Sequence, residues 1–216
     1  MSTCAAATTT IAFAGIEARR VDVQVQIAGG VNGIVIVGLG DKAVSESRER
    51  IRAAFASMGL AIPGGRIVVN LAPADLPKEG THYDLPIALA MMAALGALPK
   101  DALDGVVAFG EVGLDGSLAG APGALPAAMA AHGMDCAFIC PEVCGAEAAW
   151  AGGEVIAAPS LLSLVNHFRG GAALKPPARG DLISAEAVPD LRDVRGQEQA
   201  KRALEIAAAG GHNILM

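Results

Sequence analysis

The feature that most constrains this chain is a repeated switch of apolar period, from two to about 3.6 residues. Val21, Val23, Val25 and Ile27 alternate with Asp22, Gln24 and Gln26, the pattern of a strand with one wet face. Asn32-Gly33 then offers a turn before the apolar run 34–37, and the pair predicts a hairpin. Next, Val44, Ser47, Ile51, Phe55 and Met58 recur at helical spacing, with Asp41 to cap a helix over 42–58 and Gly59 to stop it. The alternation continues with a strand at 66–71, a helix capped by Asp84 and ending at Gly96, and a strand at 106–109. A turn at 114–117, a helix at 125–132 and a strand at 136–140 follow. The run closes with a helix at 142–150, a strand at 154–157 and a helix at 161–168 capped by Ser160. Such a succession predicts an α/β fold with a mixed sheet and packed helices.

Gly170-Gly171, Pro176-Pro177, Gly180 and Pro189 sustain no packing period, so 170–189 reads as a linker between a domain at 1–169 and a segment at 190–216. That segment predicts a helix at 197–209 and a strand at 213–216. With 53% apolar and 18% charged residues the chain has the means to bury a core. Aromatics at 3% exclude an interleaved platform for stacking bases, and a net charge of -6 confines any nucleic-acid contact to a local basic stripe. No apolar run is long enough to cross a bilayer and no charged leader opens the chain, which predicts a cytoplasmic protein without membrane contact.

Gly38-Leu39-Gly40-Asp41-Lys42-Ala43 fits the dinucleotide fingerprint, but 59–65 holds no acid for a ribose, so a tight strand-to-helix turn is the simpler reading. Lys42, Arg48, Arg50 and Arg52 lie on the wet side of the first helix, where Glu46 is spaced to pair with Arg50 and Glu49 with Arg52. The loop 70–84 gathers Lys78, Glu79, His82, Tyr83 and Asp84 before a helix start, a density that suggests a site, yet no Ser or Cys nucleophile lies near His82 in sequence. Cys136, Cys140 and Cys144 recur every fourth residue, open to a metal reading, although a buried strand explains the first two and no fourth ligand sits at zinc spacing.

Several of these stretches carry a family resemblance. Val37-Gly38-Leu39, the run from Ser45 to Ala54, Val69-Asn70-Leu71-Ala72-Pro73-Ala74-Asp75-Leu76, Lys78-Glu79-Gly80 and Gly110-Glu111-Val112-Gly113-Leu114-Asp115-Gly116 resemble the amino-terminal domain of magnesium-chelatase-like AAA+ ATPases, the competence protein M family. The resemblance covers most of 8–168 and implies a Lon-protease-domain-like fold. It also implies a cytoplasmic, homo-oligomeric, hexameric motor that migrates DNA branches in transformation and recombination, with this domain guiding DNA or partners. Where Lon reads Pro-Lys-Asp-Gly-Pro-Ser-Ala-Gly, Pro77-Lys78-Glu79-Gly80 leads here into Thr81-His82-Tyr83-Asp84, and no lysine falls near Leu125-Pro126-Ala127-Ala128. The resemblance therefore implies a scaffold without catalytic residues, its alternatives being a relict hydrolase using 78–84 and a purely structural oligomerisation module. The segment from Val194 to Leu204 resembles the opening of the ATPase module, which puts Val194, Gly196 and Gln197 near adenine and 213–216 just before a G-x-x-x-x-G-K-[ST] loop. That loop is not in this chain, so ATP and magnesium are expected for the longer protein, no cofactor or metal for this chain, and its own AAA+ module becomes its first partner. Arg48, Arg52 and Lys78 are the residues expected to contact DNA or a partner, because phosphate binding needs surface cations.

Overall fold

The chain opens with a long antiparallel pair, β1 (Cys4–Ala14) and β2 (Glu17–Ala28), joined through Gly15 at φ +63°. The computed structural model describes residues 4–99, 101–181 and 190–215. Two units are distinguished, Met1–Gly180 and Asp181–Met216. In the first, β3 (Gly33–Val37), α1 (Lys42–Ser57), β4 (Arg66–Ala72) and α2 (Asp84–Ala94) follow the opening pair. Then come β5 (Val106–Ala108), β6 (Glu111–Val112), β7 (Leu118–Ala119), α3 (Ala124–Gly133) and β8 (Ala137–Pro141). The unit is completed by α4 (Glu142–Ala148), β9 (Val155–Ala158) and α5 (Leu161–Phe168). A mixed seven-stranded sheet runs β3-β4-β2-β1-β5-β8-β9, with β6-β7 a separate small hairpin. The α/β class expected from the sequence is the class formed.

The predicted hairpin between 21–27 and 34–37 does not form. β4 lies between β2 and β3, antiparallel to the first and parallel to the second, and β2 pairs on its other side with β1. A parallel pair needs a crossover. Helix α1 supplies it, burying Val44, Ser47, Ile51, Ala54 and Phe55, and its start is fixed by Asp41, whose Oδ1 accepts the Val44 N–H at 2.8 Å. Strand β1 was not foreseen, because Cys-Ala-Ala-Ala-Thr-Thr-Thr gives no alternation between apolar and polar residues.

One apolar cluster joins β2 and β4 to α1, α2 and α5. Every residue of α2 is buried, which an all-round apolar helix requires, and Pro86 is tolerated because it sits in the first turn. A second cluster on the opposite side joins Ile11, Val107, Phe109 and Phe138 to α3 and α4. Those two helices leave part of their face uncovered over β1, β2 and β4, where Ala5, Ala7, Gln24, Gln26, Val68 and Asn70 line a shallow depression of about 660 Å³. Ser160 caps α5 with a reciprocal bond to Ser163, as predicted.

The first part of the expected linker is packed against the first unit. The Leu174 N–H donates to His167 Nδ1 at 3.1 Å, the Gly180 N–H to Ala146 O at 3.1 Å, and the Arg179 guanidinium stands 5.5 Å from the Trp150 ring centroid. The rest of it, 182–189, falls outside the described residues. In the second unit, α6 (Glu198–Gly210) matches the predicted helix. The strand expected at 213–216 is not formed over 213–215, and Met216 lies outside the described residues. A strand exists only when paired, and the described residues of this unit contain no other strand.

Candidate functional site

The loop between β4 and α2, the start of α1 and the β6 segment converge on the residues that looked chemical in the sequence. Gly38 and Gly40 shape the turn into α1. A Cβ on Gly38 would lie 2.2 Å from Leu71 O, and one on Gly40 would lie 2.7 Å from Val44 Cγ1. Asp41 then fastens the loop to the helix: Oδ1 caps α1 while Oδ2 accepts the Gly80 N–H at 3.2 Å. Because this carboxylate already occupies the helix N-terminus, a pyrophosphate there would meet like charge, and the fingerprint is a tight turn.

Lys78 departs from expectation. Its backbone bridges to the Gly40 region, its N–H donating to Leu39 O at 3.1 Å and its carbonyl accepting the Asp41 N–H at 2.9 Å. Its side chain is buried and Nζ donates to Pro73 O. Desolvation lowers its pKa, partly opposed by Asp75. A lysine so placed holds its own loop closed, and it is not a surface cation for DNA.

His82 is buried with its ring stacked on Phe109, centroids 4.4 Å apart, and against Tyr83 at 4.2 Å. Nε2 lies 3.0 Å from Ile11 O. A carbonyl can only accept, so Nε2 carries the proton of a neutral imidazole. Burial pulls the pKa down to about 4 against the opposing pull of Ile11 O and Asp41. Tyr83 beside it is wholly buried, its hydroxyl finds no partner among the described residues, and burial raises its pKa.

Asp84 was expected to cap α2, but it is the first residue of that helix and its side chain makes no cap bond. Its carboxylate is wholly buried and accepts from Ser47 Oγ, from Arg50 Nε at 2.6 Å and Nη2 at 2.9 Å, and from the Val112 N–H at 3.3 Å. The Arg50 pKa is raised, first by this hydrogen bond. Arg50 therefore belongs to a polar pin through α1, α2 and β6, and not to the wet face. Ser47 was the available signal, a hydroxyl on an otherwise apolar stripe that only a buried partner would satisfy.

Of the expected contacts, Arg48 and Arg52 remain at the surface. Glu49 pairs with Arg48 at 3.4 Å and not with Arg52, while Glu46 sits between Lys42 at 3.6 Å and Arg50 at 3.8 Å. Arg52 makes no ion pair among the described residues. It lines a cleft of about 450 Å³ with Gly33, Ile34 and the 59–65 loop, and with Arg48 a smaller one of about 200 Å³. Cys140 and Cys144 are buried in the second apolar cluster, Cys140 pushed up to about 12 and Cys144 raised, both chiefly by desolvation, so neither offers a ready thiolate. Val194, Gly196 and Gln197 form the exposed entry to α6, with left-handed backbone at Gly196 (φ +68°) and Gln197 (φ +59°).

Residues 23–143 match the family described as subunit ChlI of Mg-chelatase, and residues 190–216 match that described as magnesium chelatase, subunit ChlI. Proteins called YifB from Salmonella typhimurium and Escherichia coli are each 42% identical over 208 residues, 96% of this chain and 41% of theirs. Competence protein ComM of Haemophilus influenzae is 38% identical over 209 residues, 93% of this chain and 41% of its own. The chain thus spans about two-fifths of the length of these relatives.

Proposed function

This chain belongs to the family of the magnesium-chelatase subunit ChlI, and from that premise we propose that it is the non-catalytic amino-terminal region of a competence-linked AAA+ ATPase that migrates DNA branches. The observation that carries the non-catalytic reading is His82. The imidazole at the chemically dense loop is neutral, enclosed by Phe109 and Tyr83, and committed to Ile11 O. A general base needs reach to a substrate proton, and this imidazole is buried and holds its proton on the nitrogen that faces Ile11 O. That enclosure, with the pKa pulled down to about 4, weighs against the hydrolase alternative.

ATP and magnesium belong, in this reading, to the longer protein and its hexameric ring. Val194, Gly196 and Gln197 would lie near adenine in that longer protein, with the phosphates cradled by a G-x-x-x-x-G-K-[ST] loop. DNA guidance falls to Arg48 and Arg52, which stand four residues apart on α1 with exposed heads. No described helix is long and apolar enough to cross a membrane.

The test is a titration of fluorescent single-stranded, duplex and four-way-junction DNA at several salt concentrations. Binding should weaken with salt, and Arg48→Glu with Arg52→Glu should flatten the log–log slope by about 1.5, some 0.7–0.9 per lost phosphate contact. An unchanged slope would remove both arginines from the DNA surface. Absence of binding at low salt, with self-association by light scattering, would favour the oligomerisation module.

A further inference from the structure

We propose that the outer edge of β3 docks an extended acidic peptide segment, which joins the sheet as an eighth strand with its carboxylates on Arg48, Arg52 and Arg66. It shares Arg48 and Arg52 with the DNA reading and differs from it in its main element, which is backbone and not charge. β3 ends the strand order, so one of its sides is left unpaired by the sheet. Register decides which groups face out. The Gly33 N–H donates to Gly65 O at 3.1 Å, and Gly33 is in parallel register with Arg66, so Gly33, Val35 and Val37 turn their amides and carbonyls to β4. Ile34 and Ile36 turn theirs outward, and among the described residues nothing pairs with them. Natural edges are usually blunted by a charge, a proline or a bulge, whereas this one reads Gly-Ile-Val-Ile-Val without any of them.

The charges around this edge select the partner. Arg48 and Arg52 on α1 share a cleft with Gly33 and Ile34 on the core side of the strand. Arg66 is exposed on the opposite side, because its neighbour Ile67 points into the core. Both faces of an added strand would therefore meet a guanidinium, and the one acid in the cleft, Glu49, is already paired with Arg48. In a chain of net charge -6 this positive setting is local. A phosphodiester backbone could use the arginines but supplies only acceptors, leaving the outward carbonyls of Ile34 and Ile36 without donors. A peptide supplies donor and acceptor at each step, as strand addition requires.

The probe is a short, fluorescein-labelled peptide alternating Glu and Val, compared with its Lys-for-Glu counterpart and with a version N-methylated on alternate residues. Expected are saturable binding of the first alone and slowed hydrogen exchange at Ile34 and Ile36 but not at Val35. Arg48→Glu with Arg52→Glu should weaken binding about tenfold, as close charge pairs do. Ile36→Pro should abolish it while circular dichroism stays unchanged, since the lost amide bonds nothing in the sheet. Three results would overturn the proposal: equal binding of the N-methylated or Lys peptide, slowed exchange at the same amides on self-association alone, or a site taken only by single-stranded DNA and indifferent to Ile36→Pro. The N-methylated peptide keeps the test decisive should Ile36→Pro fail to fold.

Discussion

The buried imidazole of His82 makes the stability of the first unit depend on pH in a calculable way. Its folded pKa is about 4 and the ordinary value 6.5. Between these values the unfolded chain binds a proton that the folded chain does not, so stability rises with pH there. The contribution is fully present above pH 6.5 and is lost as pH falls toward 4. At pH 5 the loss comes to about 2 kcal/mol, and it approaches about 3 kcal/mol below pH 4, at 1.36 kcal/mol per pKa unit. Carboxylates also titrate in this range, so the quantity to measure is a difference. Urea unfolding followed by Trp150 fluorescence, at pH 7, 6, 5 and 4.5, compares the parent with His82→Gln, whose amide can still donate to Ile11 O. The parent should lose about 2 kcal/mol more than the variant between pH 7 and pH 5. Parallel stability curves would show that His82 protonates as easily folded as unfolded, and the enclosed, neutral imidazole would be wrong.

Other perturbations address the rest of the site. Asp84→Asn leaves Arg50 part-buried without its carboxylate and should destabilise by about 3 kcal/mol in chemical denaturation, while Ser47→Ala, which removes one donor, should cost about 1 kcal/mol. Gly38→Ala puts a Cβ against Leu71 O at φ +113°, and thermal unfolding should report a loss of at least about 2 kcal/mol. Cys140, pushed up to about 12, should stay unmodified by an aromatic disulfide reagent at pH 8, as read by mass spectrometry, and react once urea unfolds the chain.

Local signals were legible where one element determines its own limits. Asp41, Gly59 and Ser160 bracket helices by capping chemistry that needs only neighbouring residues, and α1 and α5 fall where those residues put them. Pairing was not legible, since β3 joins β4 across an intervening helix and the nearer β2 prefers β1. The loop 70–84 was recognisable as chemically dense, yet its density had another cause. Lys78, His82 and Asp84 read as polar residues beside a helix start, and only burial reveals that each is consumed by an internal bond. The partner of Asp84 lies 34 residues away, beyond any spacing rule for a single helix.

These internal bonds give the reactive residue types of the loop a structural use. Catalysis needs a polar group that is available to a substrate and restrained in position, while a buried pin needs one that is fully satisfied. Asp84 meets the second condition, with Ser47, Arg50 and Val112 all donating to it, and His82 is removed from solvent by two rings. Satisfaction of that kind rigidifies the junction of α1, α2 and β6. The same helix α1 carries Arg48 and Arg52 beside the β3 edge, so the pin fixes the side of the molecule on which these surface arginines and the edge strand are presented together. A rigid presenting surface, with the polar loop behind it as its fastening, is the role this arrangement supports best.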